Sequence, residues 1–159
     1  MTSPRLHPAI AWGLVALQFV LIAVLALLPY GTLWDRTQVV MTAGFMAIFA
    51  GVVIALVAIA GLGRTLTASP VPKAGGELVT TGIYAWVRHP IYAGIIVAAL
   101  GLAFIGASLG HLIAAGALIA VLMVKSRLEE RLLIGRYRDY AAYAARVGRL
   151  VPGVGRIRS

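Results

Sequence analysis

The sequence predicts an all-α integral membrane bundle, with four transmembrane helices, a C-terminal helical hairpin and a cytoplasmic amphipathic tail. Three observations carry this. Of the 159 residues, 61% are hydrophobic and only 12% charged, with mean hydropathy +0.95, whereas soluble domains carry roughly 25% charge. The charges leave three long uncharged stretches, of 29 residues between Arg5 and Asp35, 27 between Arg36 and Arg64, and 36 between Arg88 and Lys125. No alternating pattern of a strand occurs anywhere.

A spanning helix needs about 20 apolar residues. The first stretch holds one, Ala9–Leu28. It follows a single Arg and has no small-x-small cleavage site, so a retained helix is expected rather than a signal peptide. The second stretch holds another, Gln38–Leu62. The third is too long for one helix, and Gly106-Ala-Ser-Leu-Gly110 at its middle reads as a tight turn. A hairpin follows, with arms Pro90–Ile105 and Leu109 onward, the second arm continuing past Lys125 with its charges at the interface. Pro70, Pro72 and Gly75-Gly76 mark residues 63–89 as a loop. In the tail, Leu128, Leu132 and Leu133 form an apolar stripe that Gly135 interrupts, and a further helix is expected over Tyr137–Val147. The chain reads as one membrane domain, 1–159, divided into two N-terminal helices (1–62) and a loop, hairpin and tail (63–159).

With four passes, 13 of the 14 basic residues fall on one side, leaving only Arg36 opposite. The positive-inside rule places that side, with both termini, in the cytoplasm, for a multi-pass protein of a bacterial inner membrane. The net charge of +9 is thereby explained by the membrane surface, and no nucleic-acid partner is expected. Without cysteine there is no disulfide, no Cys-based zinc site and no thiol nucleophile; no metal site is expected. A Rossmann site is excluded because Gly61-Leu-Gly63 follows a membrane helix and lacks a third glycine.

Two features on the cytoplasmic side point to chemistry. Gly82-Ile-Tyr-Ala-Trp-Val-Arg-His-Pro-Ile-Tyr-Ala-Gly94 places Pro90 at the start of a helix, whose N-terminus, with Arg88 and His89, suits a carboxylate or phosphate. Gly94 allows close approach of a ligand or a helix. The plain alternative is an aromatic belt of Tyr84, Trp86 and Tyr92 with Arg88 on lipid phosphate. Glu129-Glu130 are two of only five acidic residues, and adjacent helical positions point about 100° apart, so one can face the bundle while the other faces outward. Here the plain alternative is ion pairing of Glu129 with Lys125, one turn away. His7 and His111 lie apart from this constellation.

The combination of Arg88-His89-Pro90-Ile91-Tyr92-Ala93-Gly94 opening one membrane helix with Glu129-Glu130 ending the next resembles the isoprenylcysteine carboxyl methyltransferase family and, more widely, the phospholipid N-methyltransferases. The likeness covers residues 78–152, including Leu78–Tyr84, Gly135–Tyr140 and Arg149–Pro152; the chain looks like a small prokaryotic member. The family's common Gly-Pro-Tyr is here Gly82-Ile83-Tyr84. The resemblance implies methyl transfer from S-adenosylmethionine to a lipophilic acceptor, with carboxyl O-methylation of an isoprenylcysteine-like substrate as the leading case. It implies cofactor binding by Arg88, His89, Tyr92, Glu129 and Glu130, and by Tyr137, Tyr140 and Arg149 of the C-terminal pattern, with Tyr84 and Gly94 beside them; by their chemistry the catalytic candidates are His89, the base available for an amine acceptor, and Arg88, which can orient an acceptor carboxylate. A phospholipid amine or a thiol are alternative acceptors. Competing classes are a nicotinamide-dependent membrane reductase and a small four-helix transporter or scaffold. Oligomeric state is left open.

Overall fold

The computed structural model describes residues 7–67 and 77–157. Within them it is helical: α1 Pro8–Leu27, α2 Gln38–Leu62, α3 Pro90–Gly106, α4 Leu109–Arg136 and a short α5 Tyr140–Arg146, with single 3-10 turns at Gly63–Thr65 and Gly82–Ala85. No strand forms among the described residues; the nearest to one is an isolated parallel bridge between Val87 and Gly148. Arg5, Lys73 and the Pro70–Gly76 part of the expected loop lie outside the described residues.

Helices α1, α2 and α4 are long and apolar enough to cross a membrane, while α3 has 17 residues. At 1.5 Å per residue α3 is about 25 Å long, just short of a hydrocarbon core of about 30 Å. Large side chains face outward on the long helices, with Leu27 81%, Val39 77% and Phe49 66% exposed. Such surfaces belong in lipid, and the chain is a membrane protein.

The helices alternate in direction. At one end the α1–α2 link meets the α3–α4 turn: Gly31 N–H donates to Gly106 O (2.7 Å), Leu33 N–H to Ala107 O (2.8 Å) and the Trp34 indole to Phe104 O (2.9 Å). The reversal itself is made by Ala107, in the left-handed conformation at φ 46°, and by Ser108, which caps α4 by accepting from His111 N–H at 3.2 Å. Gly106, expected in the turn, is the last helical residue of α3. It is held against the ring of the buried His111, where a Cβ would collide.

Helix α2 packs along α3, and α1 along α4. The α2–α3 seam is backbone on backbone. A Cβ at Gly94 would lie 2.5 Å from Gly51 O, and one at Gly101 2.7 Å from Gly44 O. Small residues permit such approach where lipid provides no hydrophobic drive between helices. A core of Leu25, Ala99, Ala103, Ala114, Leu118 and Leu122 fills the space among α1, α3 and α4.

In the tail, α4 runs through Gly135, which does not interrupt it. The helix stops where Tyr137 turns extended (φ −114°, ψ 118°), its N–H still bonded to Leu133 O. Tyr137 therefore belongs to the turn, and α5 starts three residues later than expected. Tyr140, Tyr143, Ala144 and Val147 form a second small core against Leu78, Leu133 and Ile157.

Candidate active site

At the end of the bundle away from the hairpin turn, α1, α2, α3, α4 and α5 surround a cavity of about 490 Å³. Its apolar part is walled by Val15, Phe19 and Ile22 of α1, Ala55 and Ile59 of α2, and Ile95 of α3. Its polar part is lined by His89, Glu129, Tyr84, Tyr137, Tyr140, Gln18 and Lys125.

The two glutamates divide as adjacent helical residues must. Glu129 faces the cavity and accepts from the Tyr92 hydroxyl; its second oxygen lies 3.3 Å from His89 Nδ1. Glu130 turns inward, 3% exposed, and meets two guanidinium groups. Its Oε1 accepts from Arg88 Nε (2.8 Å) and Nη2 (2.6 Å), and its Oε2 from Arg149 Nε (2.9 Å) and Nη2 (2.7 Å).

Arg88 is wholly buried. Besides Glu130 it donates to the carbonyls of Ala144 (2.9 Å), Val147 and Gly155 (2.9 Å). A guanidinium has five N–H groups, so these contacts use all of them. Arg88 was expected to take a cofactor carboxylate or orient an acceptor; with its donors spent inside the chain, it fastens the tail to α4. The backbone completes the same joint, with Arg88 N–H donating to Gly148 O (2.9 Å) and His89 N–H to Arg149 O (3.0 Å). Gly148 is required there, since a Cβ would strike Val151 O.

His89 stacks on Tyr92, the rings 5.6 Å apart and 4° from parallel. Its Nε2 lies 3.4 Å from Glu130 Oε1 and has no hydrogen-bond partner. Burial pulls the imidazole pKa down, but Glu129 and then Glu130 push it up and prevail, so the ring is held toward the imidazolium form. The buried Tyr140 hydroxyl is the second polar atom without a partner. Burial and the nearby carboxylates raise the Tyr140 phenol, and burial pushes Tyr143 up to about 12, so both remain protonated donors at neutral pH. Tyr143 donates to Tyr84 O (2.5 Å) and Tyr84 to Ala58 O (3.1 Å), tying α5 and the segment before α3 to α2.

Of the residues expected at the site, Tyr84, Arg88, His89, Tyr92, Glu129, Tyr137 and Tyr140 line the cavity. Gly94 does not; it is spent on the seam with Gly51, the helix approach rather than the ligand approach. Glu130 and Arg149 lie behind the wall. The aromatic-belt alternative survives only for Trp86, 69% exposed, since Tyr84 is buried and Tyr92 turns toward the cavity. His7 caps α1 by accepting from Ala9 N–H, and His111 hydrogen-bonds Ser108 Oγ at the far end, so neither joins the site.

Sequence reasoning missed Gln18, Tyr143 and the role of Lys125. Lys125 was placed at the interface, yet it is 2% exposed and donates to Gln18 Oε1 at 2.6 Å rather than to Glu129. Gln18 is the one amide, acid or base in Ala9–Leu28; a polar side chain at that depth is itself a functional mark.

The phospholipid methyltransferase family model matches residues 39–140, from α2 to the start of α5. The chain belongs to the phospholipid methyltransferase family. Over 71 residues it is 42% identical to methanethiol S-methyltransferase 1 of Bradyrhizobium diazoefficiens, a match covering 44% of this chain and 24% of that relative. The chain thus spans about a quarter of the relative's length. The family match includes His89, Tyr92, Lys125 and Glu129, whereas Gln18, Tyr143 and the Arg149 side of the clamp lie outside it.

Proposed function

We propose that this protein is a four-pass membrane methyltransferase that uses S-adenosylmethionine to methylate a lipophilic acceptor, with its active site and both chain ends on the cytoplasmic side. The observation that carries the reading is the cavity: its polar part is lined by Glu129, by His89 between Glu129 and Glu130, and by Tyr140, whose buried hydroxyl has no hydrogen-bond partner. Buried polar groups are nearly always hydrogen-bonded, so the Tyr140 hydroxyl suits a polar ligand. About 490 Å³ lies within the usual range of small-molecule sites.

S-adenosylmethionine supplies an electrophilic methyl group on a sulfonium, together with an ammonium, a carboxylate and ribose hydroxyls. Glu129 suits the cationic groups, and Tyr140 and His89 suit the oxygens. Arg88, Glu130 and Arg149 position this set from behind by fixing the tail and the rotation of α4. The chain needs no nucleophile of its own, because in-line transfer demands alignment and exclusion of water; the walls of Val15, Phe19, Ile22 and Ile95 exclude water. The apolar part of the cavity is walled by α1 and α2, whose main packing partners are α4 and α3 rather than each other. That arrangement suits an acceptor with its tail in lipid. Carboxyl methylation of an isoprenylcysteine-like molecule remains one case; the family description adds a phospholipid amine and the relative's name a thiol.

The test is calorimetric binding of S-adenosylmethionine and S-adenosylhomocysteine to purified protein in neutral detergent. Glu129→Gln and Tyr140→Phe should each weaken binding of S-adenosylmethionine about tenfold, the value of one charge-assisted or buried hydrogen bond. No binding by the wild type, or unchanged affinity in both variants, refutes the reading.

A further inference from the structure

Among the described residues Lys125 forms no ion pair. It sits one turn before Glu129 on α4, is 2% exposed, and is among the residues lining the cavity. Its hydrogen bond goes to a neutral amide oxygen, Gln18 Oε1, at 2.6 Å, and its remaining contact is the Tyr92 ring, 5.1 Å from Nζ. An ammonium has three donors, so two are unspent. Glu129, the carboxylate in reach along the helix, is occupied by Tyr92 and His89. Buried charges in folded proteins are paired; this one is half-served by an amide and open to a cavity. It also marks the joint between the polar end, where His89, Glu129 and Tyr140 gather, and the apolar walls of Val15, Phe19, Ile22 and Ile95.

We infer that Lys125, held in place by Gln18, is the anion-recognition group for the acceptor, and that the acceptor reacts as an anion, a thiolate or a carboxylate, rather than as an amine. The inference rests on the methyltransferase reading and assigns its acceptor class. The anion task expected of Arg88 passes to Lys125, because Arg88 has no donor left. An ammonium would be repelled by Lys125, and the His89 imidazole, with Glu129 at 3.3 Å and Glu130 at 3.4 Å, is held toward its protonated form and away from the role of a base. In the transfer, a lone pair on the acceptor's sulfur or oxygen forms the new bond to the methyl carbon. The carbon–sulfonium bond breaks and its electron pair stays on the donor's sulfur. Anion and sulfonium become a neutral thioether or ester and a neutral thioether. The product loses its attraction to Lys125, which favours its release into lipid.

The test uses Lys125→Met, which keeps length and loses charge, and Lys125→Arg, which keeps charge. Three acceptors are compared in neutral detergent: a long-chain alkanethiol, an S-prenylated N-acetylcysteine and phosphatidylethanolamine. Transfer to the thiol or to the carboxylate should fall about tenfold or more in kcat/KM in Lys125→Met and recover in part in Lys125→Arg, while S-adenosylhomocysteine affinity stays within about twofold. Whichever of the two anions is methylated names the acceptor. With the thiol, the pH midpoint of the rate should rise in Lys125→Met, because the thiolate loses its counter-charge; Glu129, His89, Tyr84 and Tyr92 also face this position and are unchanged. A second arm needs no turnover: decanoate should bind the wild type about tenfold more tightly than Lys125→Met, and decylamine should bind Lys125→Met at least as tightly as the wild type. Preferred methylation of phosphatidylethanolamine, equal decanoate affinities, or a loss of S-adenosylhomocysteine binding in Lys125→Met each overturn the assignment. Absence of S-adenosylhomocysteine binding in the wild type overturns the methyltransferase reading instead, and the decanoate arm still decides whether Lys125 is an anion site.

Discussion

Replacing Glu130 by Gln tests whether the neighbouring glutamates have separate tasks. In the wild type one buried carboxylate faces two guanidinium groups, with Arg88 at 2.6 Å and Arg149 at 2.7 Å. The Arg88 side chain is 0% exposed, so it cannot turn to water when its partner is neutralised. Removing one member of a buried ion pair costs about 3–5 kcal/mol, because a charge is left uncompensated. For a chain of this size each kcal/mol moves Tm by about 2–4 °C, giving a fall of about 6–20 °C. Glu129→Gln is different in kind. Its side chain is 18% exposed, and an amide oxygen can still accept from one of its two partners, Tyr92 or His89. The expected cost is about 0.5–1.5 kcal/mol, with the loss appearing in S-adenosylmethionine affinity. The assay is a thermal melt by tryptophan fluorescence in neutral detergent, repeated at two scan rates to detect irreversibility. A Glu130→Gln protein melting within about 2 °C of wild type, or a Glu129→Gln protein melting as low as Glu130→Gln, refutes the division.

Two further outcomes follow from the same geometry. His89 has its pKa raised in the folded state, so its contribution to stability is complete below the unfolded value of about 6.5 and is lost as pH rises through the folded one. Wild type should therefore lose Tm as pH rises above about 6.5, and His89→Gln should flatten that slope; equal slopes would show that the imidazolium is not held by Glu129 and Glu130. For topology, reporter tags placed ahead of Pro8 and behind Ile157 should both report the cytoplasm, and opposite sides would refute four passes.

The helices were legible because lipid makes their pattern simple. Gln38–Leu62 is correct at both ends, since Thr37 supplies the cap that accepts from Val40 N–H, and Gly63, at φ 50°, takes the left-handed exit. Seven of the residues that line the candidate cavity were also legible, because polar side chains stand out in a chain that is 12% charged, while Gln18, Lys125 and Tyr143 were not singled out. What each of the seven does was not legible. Arg88 looked like a ligand group, yet three of its contacts are to the carbonyls of Ala144, Val147 and Gly155. Carbonyls are the same in every residue, so no pattern of side chains reveals a guanidinium spent on them. Gly94 failed for a related reason: a glycine signals close approach without saying by what, and here Gly51 is opposite.

The role of Lys125 illustrates the remaining gap, which is rotation about a helix axis. Lys125, Glu129 and Leu133 all line the cavity, and they are spaced by four. Leu122, Ser126 and Glu130, spaced likewise, are buried inside the bundle. Residues four apart share a face, and neighbouring rows point about 100° apart. Both rows are equally regular in the sequence, so spacing alone cannot say which meets the cavity. What decides it is Arg88 on the segment before α3, pinned from the other side by the tail. The clamp must accept Glu130 for the row containing Lys125 and Glu129 to face the cavity. The buried ion pairs therefore act less as a source of stability, which such pairs provide weakly against an apolar alternative, than as the element that sets α4 in the one rotation placing Lys125 and Glu129 on the same cavity.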